Sequence, residues 1–553
     1  MLKNYTLLFI SHFLLNLVNA QQLNQFNKSD SLRGSIGEGR KKWDVLHYNL
    51  TIHPDISSKT ISGNNLITFF DSGVSIIQID LQDPMMIDSI KDKENFYTYK
   101  KEGNVYWVDI NPKKTDTKLI KKINIYFHGT PKIASNPPWD GGWIWKTDKN
   151  NNPWVTVACQ GLGASCWYPC KDIQSDEPDY GATIQMIVPN DLMAVSNGRL
   201  ISSTPISKYK MLYKWEVKSP INNYNIVPYI GKYSHFSDSY KGLNGTLDLD
   251  YWVLEDNVEK AKEPFKDVKK MLTAFEYWFG PYPFYEDGYK LVEAPHLGME
   301  HQSAIAYGNK YMKGYLGQDL SGTGWGLNWD FIIIHESGHE WFGNNITAND
   351  IADMWIHEGF TNYSETLFTE YYYGKDAANE YNIGLRKTIN NDLPIIGPME
   401  VNKEGSGDMY NKGGNLIHTI RQIINNDKLF RKILQGINKD FYHQTVTSKQ
   451  IESFISKESN FDFSIIFDQY LRTIKIPELE YYATPTCIKY RWTNTVDKFA
   501  MPIKIYTGVN KKAIWITPNN KWQTLNLGEI ENSTQLIVDE NFYVSSKKIK
   551  QIN

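Results

Sequence analysis

The segment from Ile332 to Glu358 contains two histidines and two glutamates whose types and spacing suit a metal site. His335 and His339 follow an apolar run without proline, which predicts one buried helix extending to Phe342. On that helix both imidazoles project from the same face about one turn apart, where they can reach one tetrahedral zinc ion. We therefore predict that His335 and His339 are zinc ligands.

A second helix is predicted over residues 355–373, an apolar and aromatic run that carries Glu358 near its start. We expect Glu358 to be the third ligand. A zinc ion bound by two histidines and one carboxylate keeps its fourth position for water, which is typical of catalytic sites. Glu336 can take a proton from that water and pass it to a leaving amine. A histidine pair alone is often part of a core, but this set of four residues predicts zinc-dependent hydrolysis.

The domain organisation follows from a change of hydrophobic period along the 553 residues. Residues 43–255 contain short runs rich in Ile, Val, Tyr, Phe and Thr between turn residues, which predicts a β domain. Residues 256–478 have mostly helical periodicity, beginning with one helix over 256–279. Alternating runs return over 479–553 and predict a small β-sandwich.

The N-terminus is typical of an exported protein. Residues 1–20 have one early lysine, an apolar stretch and a small-residue end, which predicts a cleavable signal peptide, with an uncleaved anchor as the alternative. Residues 21–42 are rich in Asn, Ser, Gly and Gln and predict a flexible lead. We therefore expect a periplasmic or extracellular location.

Charge and cysteine content exclude several function classes. A formal net charge of −3 gives no electrostatic reason to expect nucleic acid or an anionic membrane as a partner. Four cysteines are too few for a disulfide scaffold in a chain of this size. Cys159, Cys166 and Cys170 cluster without the paired spacing of a zinc knuckle, so we expect a structural role and leave one local disulfide open.

Three motifs together resemble the zinc aminopeptidases of the aminopeptidase N and leukotriene hydrolase family, a group of gluzincin metallopeptidases. They are the spacing from His335 to Glu358, the upstream Gly298-Met299-Glu300, and the downstream run that begins with Tyr410-Asn411-Lys412-Gly413-Gly414. The resemblance implies a multidomain α+β fold. An N-terminal β-saddle would precede a thermolysin-like α-rich catalytic domain and a small C-terminal β-sandwich.

The resemblance also implies roles in the hydrolytic step. His335, His339 and Glu358 would bind one zinc ion per chain, and Glu336 would be the general base. Tyr410 would stabilise the oxyanion as the carbonyl becomes tetrahedral.

A further set of residues would bind the substrate. Glu300 would hold its free α-amine, and Gln160 corresponds to a second residue on the amine side. Gly298 and Met299 belong to the same substrate-binding motif. An acidic group one residue's length from the metal places only the first peptide bond over the water, which a thermolysin-like cleft alone does not do.

The sequence departs from the family pattern at Leu297, His301 and His357, which are neither ligands nor the base. These departures bear on specificity more than on the reaction. Glu365 shares a helical face with Glu358 and could orient a ligand histidine, but an ordinary surface or structural glutamate is the expectation at such a position. Larger family members carry a long helical C-terminal domain that is absent here, so a more open cleft is expected.

The predicted function is that of a zinc-dependent aminopeptidase that releases N-terminal amino acids from peptides. The expected partners are peptides with a free N-terminus; no stable protein partner is implied, and the oligomeric state is open. The alternatives are an endopeptidase or an epoxide hydrolase on the same scaffold, and an inactive peptide-binding protein.

Overall fold

The computed structural model describes residues 26–110, 119–484, 486–507, 512–526 and 536–550. The predicted signal peptide at residues 1–20 lies outside these ranges. Within them, no helix has both the length and the apolar character needed to cross a membrane.

The first part of the chain forms sheets that surround one hydrophobic core. Its strands are β1 Trp43–Asp55, β2 Thr60–Asp71, β3 Ile76–Asp80, β4 Met86–Lys91, β5 Tyr99–Glu102, β6 Val105–Asp109, β7 Ile120–Gly129, β8 Gly142–Thr147, β9 Pro153–Ala158, β10 Ala182–Pro189, β11 Met193–Val195, β12 Arg199–Ser207, β13 Lys210–Val217 and β14 Tyr229–Gly231. A seven-stranded sheet has the order β12-β13-β10-β1-β2-β7-β4, a four-stranded sheet the order β11-β14-β9-β8, and a three-stranded sheet the order β3-β6-β5.

The alternation of side chains sets the faces of the large sheet. β1 pairs antiparallel with β2 and parallel with β10. Leu50 and Ile52 on β1, with Ile67 and Phe69 on β2, are fully buried, and the residues between them are half-buried. A period of two with one buried face is the pattern that predicted these strands.

A five-stranded sheet connects this region to the helices. It consists of β15 Tyr233–Gly242, β16 Gly245–Leu254, β17 Tyr289–Glu293, β18 Gly298–Met299 and β19 Ile305–Tyr307, in the order β15-β16-β17-β19-β18. β16 pairs in parallel with β17, so one sheet crosses the predicted domain boundary at residue 255. That boundary stays a prediction.

The helical part packs against this sheet. The first helix of the chain, α1 Lys28–Gly34, lies at the N-terminal end and precedes the strands. The helices of the helical part are α2 Val258–Lys262, α3 Asp267–Phe279, α4 Phe331–Gly338, α5 Trp355–Tyr373, α6 Lys375–Leu385, α7 Asn411–Ile424, α8 Asp427–Asp440, α9 Ser448–Ser459 and α10 Ser464–Leu471. The single helix predicted over residues 256–279 is wrong. Pro264 separates α2 from α3, because proline has no N–H to donate and disfavours helical geometry before it.

The C-terminal region forms two more sheets whose side chains join the core of the helical part. Their strands are β22 Glu478–Ala483, β23 Cys487–Thr493, β24 Ile503–Thr507, β25 Lys512–Ile516, β26 Gln523–Asn526, β27 Leu536–Val538 and β28 Ser545–Lys548, while β20 Ile346–Ala348 and β21 Gln444–Val446 pair within the helical part. The sheet orders are β26-β23-β22-β28 and β25-β24-β27. The predicted fold class is confirmed: a β-rich N-terminal domain, a helical catalytic-type domain and a C-terminal β region.

The expectation of a flexible lead over residues 21–42 is wrong for the part that the structure describes. α1 begins at a capping box formed by Asn27 and Asp30. Arg40 is 1% exposed, and its guanidinium donates to the Asp80 carboxylate at 2.7 Å and to the Asp172 carbonyl at 3.0 Å. The amino-acid composition of residues 21–42 does not reveal this ordered structure, because two hydrogen bonds of the buried Arg40, rather than apolar residues, anchor the segment.

We predict that Arg40→Met lowers the free energy of unfolding by about 3–5 kcal/mol, because it leaves the buried Asp80 charge without its cation. Denaturant unfolding followed by circular dichroism measures the loss. Lys41→Met is the matched control, since among the described residues Lys41 forms an ion pair only with the exposed Glu38. Equal stability of the two variants would show that the Arg40–Asp80 pair does not anchor the segment.

Candidate active site

The N-terminal end of α4 is fixed by a buried aspartate. The Asp330 carboxylate accepts hydrogen bonds from the backbone N–H groups of Ile332 and Ile333 at 3.1 and 3.3 Å. It also accepts one from the Tyr307 hydroxyl at 2.7 Å. A capping carboxylate satisfies N–H groups that have no partner within the helix. The cap therefore fixes where α4 starts and, with it, the position of His335 on the helix.

The chain leaves the helix directly after the second histidine. α4 ends at Gly338, and a wider turn over Glu340–Asn344 follows. Gly343 has φ 132°, a conformation that side chains disfavour. The helix predicted through Phe342 is therefore too long, because the turn folds the Phe342 carbonyl back onto His339 Nδ1, 3.0 Å away.

Two glycines allow α5 and α7 to approach closely beside Glu358. A Cβ atom added at Gly413 would lie 3.0 Å from the Gly359 Cα atom. The close approach brings Tyr410, at the start of α7, next to Glu358, and burial and then the charge of Glu358 raise the pKa of the Tyr410 hydroxyl well above its usual range. The Tyr410 ring also lies 5.9 Å from the His335 ring. Larger side chains at either glycine would separate the two helices.

His335, His339 and Glu358 converge on one buried point. Glu358 Oε2 lies 3.7 Å from His335 Nε2 and 3.4 Å from His339 Nε2. Although burial alone would raise the pKa of Glu358, the nearby charges of His339 and His335 hold it well below its usual range. An ionised carboxylate thus faces two imidazole nitrogens.

The other nitrogen of each imidazole is occupied by a fixed partner. His335 Nδ1 lies 2.7 Å from Glu365 Oε1, whose second oxygen accepts a hydrogen bond from the Tyr381 hydroxyl at 2.6 Å. His339 Nδ1 contacts the Phe342 carbonyl. Such partners fix the ring orientation and leave Nε2 as the free nitrogen. The expectation that Glu365 is an ordinary glutamate is wrong, since it is fully buried against His335.

Glu336 lies on the same helix and faces the edge strand β18. A Cβ atom added at Gly298 would lie 2.6 Å from Glu336 Oε1. Desolvation raises the pKa of Glu336 to about 7, the charges of His335 and His339 oppose that rise, and the charge of Glu300 adds to it. The carboxyl group therefore lies between the histidines and the strand that carries Gly298, Met299 and then Glu300.

Comparison with known proteins decides the family. The model of the peptidase family M1 domain matches residues 264–470, and the model of the peptidase M1 N-terminal domain matches residues 45–224. The chain belongs to the peptidase M1 family. Membership makes this M1 peptidase a zinc metallopeptidase.

Curated relatives are distant. Leukotriene A-4 hydrolase of Xenopus laevis is 23% identical over 459 residues, which are 75% of this chain and 68% of that protein. Tricorn protease-interacting factor F2 of Thermoplasma volcanium is 22% identical over 346 residues, which are 59% of this chain and 42% of that protein. Endoplasmic reticulum aminopeptidase 1 of Mus musculus is 22% identical over 293 residues, which are 50% of this chain and 30% of that protein. This chain thus spans less than half of the last two relatives.

Solved structures show the same fold. The M1 zinc metallopeptidase of Deinococcus radiodurans aligns with a TM-score of 0.63 at 19% identity, covering 76% of this chain and 92% of that one. A variant of that protein bound to a Tyr-Ser-Ala substrate aligns with the same score. The two-domain architecture of those structures matches the N-terminal and helical parts described above.

The residues of this M1 peptidase fit a zinc ion. One imidazole nitrogen from each histidine and one Glu358 oxygen lie within 4.8 Å of one another. Glu358 Oε2 is buried and has no hydrogen-bond partner among the described residues. A buried carboxylate oxygen without a donor is costly unless a cation binds it. Two imidazoles and one carboxylate are also a donor set that zinc favours in catalytic sites.

The amine-binding residues predicted from the sequence are brought together beside the metal site. Glu300 Oε1 accepts hydrogen bonds from Gln160 Nε2 at 2.5 Å and from the Tyr224 hydroxyl at 3.0 Å. The Glu300 carboxylate also lies within 4.8 Å of Glu336 and His339. The sequence does not identify Tyr224, because one tyrosine among 35 carries no motif that would distinguish it.

The departures from the family pattern have local structural partners. His301 Nδ1 lies 2.7 Å from the Tyr229 hydroxyl, and His357 Nε2 accepts a hydrogen bond from the Ala348 N–H at 2.8 Å. The Leu297 carbonyl accepts one from Gly308. Both histidines are fully buried, and burial lowers the pKa of His357 to about 3, so it is a neutral acceptor.

The cysteine cluster has no disulfide. Cys159, Cys166 and Cys170 are free and buried, and Cys487 is free and half-buried. Burial raises the pKa of Cys166 and of Cys170 well above the usual thiol range. Buried protonated thiols pack as small apolar side chains, in agreement with the structural role expected from the sequence.

We predict that Glu365→Gln raises the dissociation constant for zinc by about 10–100-fold, because the neutral amide no longer supports His335 as a basic ligand. Competition with a chromogenic chelator measures the constant. Glu259→Gln is the control, since the Glu259 side chain is 82% exposed and distant in sequence from the site. Unchanged zinc affinity in Glu365→Gln would contradict the positioning role.

Proposed function

We propose that this chain is a zinc-dependent aminopeptidase that releases N-terminal amino acids from peptides. The observation that supports it is the location of the Glu300 carboxylate, within 4.8 Å of Glu336 and His339. An acidic group at that distance can pair with a substrate ammonium while the first peptide bond reaches the reacting groups. His335, His339 and Glu358 would hold one zinc ion.

The amine pocket is organised by neutral donors. Gln160 and Tyr224 both donate to Glu300 Oε1, and neither contacts Oε2. Burial raises the pKa of Tyr224 well above its usual range, so the hydroxyl stays a donor. In this arrangement Oε2 is the atom that receives the α-ammonium group, and the peptide extends from there along β18.

Two side chains carry the proton and charge changes of the reaction. Zinc held by His335, His339 and Glu358 would supply Lewis-acid chemistry that lowers the pKa of water to about 7. Glu336 takes the proton from the attacking water and passes it to the leaving amine, so no covalent intermediate forms. The Tyr410 hydroxyl donates to the developing oxyanion. Burial and the charges of Glu358 and Glu300 raise the pKa of Tyr410, which keeps that proton in place.

We also propose that the protein is exported, on the basis of residues 1–20 alone. The named alternatives remain an endopeptidase and an epoxide hydrolase. The second receives support from the likeness to a protein named leukotriene A-4 hydrolase.

We predict that the zinc-loaded protein hydrolyses a chromogenic aminoacyl anilide but not its N-acetylated twin, because Glu300 requires a free ammonium group. Glu336→Gln removes the activity by loss of the base. Release of the chromophore measures both rates. Cleavage of both compounds would favour the endopeptidase, and cleavage of neither, with zinc bound, would favour the epoxide hydrolase or an inactive binding protein.

We predict that Tyr410→Phe lowers kcat by about 10²–10³-fold while KM changes little, because the hydroxyl acts on charge that develops only in the transition state. Steady-state kinetics on the aminoacyl anilide separates the two constants. Tyr371→Phe is the control, since Tyr371 is 40% exposed on the same helical part. A change in KM alone would assign Tyr410 to substrate binding instead.

A further inference from the structure

Three segments that are distant in sequence meet beside Gln160. They are α1, the amine-side loop, which we define as residues 159–163, and the cleft loop, which we define as residues 399–405. The amine-side loop carries Gln160, and the cleft loop leads to Tyr410.

α1 contacts the amine-side loop through Arg33. The Arg33 guanidinium donates to the Asp172 carbonyl, and its Nη2 atom lies 3.2 Å from the Asp172 carboxylate. A Cβ atom added at Gly163 would lie 2.0 Å from Arg33 Nη2 and 2.3 Å from Asp172 Oδ2. The amine-side loop therefore ends against the ion pair of Asp172 with Arg33, and Arg33 belongs to α1.

α1 contacts the cleft loop through its last residue. A Cβ atom added at Gly34 would lie 2.1 Å from the Asn402 nitrogen and 2.5 Å from the Val401 nitrogen. Lys403 Nζ also lies 5.8 Å from the ring of Phe26, which precedes the helix. This close backbone contact requires glycine at position 34 and leaves no room for the cleft loop to move toward α1.

The two loops also contact each other. Asn402 Nδ2 donates to the Gly161 carbonyl at 3.3 Å, one residue after Gln160. The end of the cleft loop packs against the segment that precedes it, since a Cβ atom added at Gly405 would lie 1.9 Å from the Ile395 carbonyl oxygen.

We propose that α1 is a positioning element of the substrate cleft. It holds the amine-side loop and the cleft loop together, so that Gln160 stays against Glu300 and the pocket accepts only a chain end. The proposal rests on the aminopeptidase function given above. It assigns to the N-terminal segment a role in substrate affinity, because a small displacement of a positioning residue weakens the bound geometry.

The test compares two neighbouring glycines. Gly34→Ala forces the cleft loop to shift, whereas Gly37→Ala adds a Cβ atom with nothing within 4 Å. For the aminoacyl anilide we expect Gly34→Ala to raise KM about 10-fold with kcat within about twofold of wild type. Gly37→Ala should keep both constants. Equal KM values in the two variants would overturn the proposal.

A second measurement does not depend on activity. Hydrogen exchange followed by mass spectrometry should show faster exchange in residues 159–163 and 399–405 of Gly34→Ala than of Gly37→Ala. If Gly34→Ala does not fold, Asn402→Ala, which removes only the bond to Gly161, should raise exchange in residues 159–163 and KM about threefold. Unchanged exchange in the amine-side loop would overturn the proposal.

The two proposals fail in different ways. Wild-type protein that does not distinguish the free-amine anilide from its acetylated twin contradicts the aminopeptidase function, whatever the glycine variants do. Wild-type protein that makes the distinction, combined with equal KM values for Gly34→Ala and Gly37→Ala, contradicts only the positioning role of α1.

Discussion

The convergence of two imidazoles and one carboxylate on a buried point is the interaction on which the rest of the structure depends. Glu358 is 3% exposed and has an oxygen without a donor among the described residues. An uncompensated buried charge is destabilising, and a divalent cation removes that cost while using the site for chemistry. The fold must therefore hold α4 and α5 at a fixed separation, or the His335–His339–Glu358 set loses its metal.

Close backbone contacts provide that rigidity. Gly343 allows the turn that returns a carbonyl to His339, and Gly359 with Gly413 allows α7 to approach α5. Glu365, which accepts a hydrogen bond from Tyr381, fixes the orientation of the His335 ring through its Nδ1 atom. Each of these contacts restricts a predicted metal ligand or Tyr410 to one position. This restriction agrees with a site that acts by preorganised electrostatics.

The amine side of the cleft is built from several parts of the chain. Glu300 comes from the sheet of the helical part, whereas Gln160 and Tyr224 belong to the N-terminal β-rich domain. The predicted metal ligands thus lie within the helical part, whereas the hydrogen bonds to Glu300 come from the β-rich part. The N-terminal helix and the cleft loop add a third contact at this edge.

The sequence by itself determined the fold class and most strands and helices, because local spacing and period encode them. It also predicted the metal ligands and the base, since His335 and His339 share a helical face at any register of the fold. Tertiary structure alone decided the roles of Glu365 and Tyr224, the end of α4 and the order in residues 26–42. These features arise from contacts between residues far apart in sequence. An arginine such as Arg40 is buried only because Asp80 lies opposite it, and local composition contains no record of that pairing.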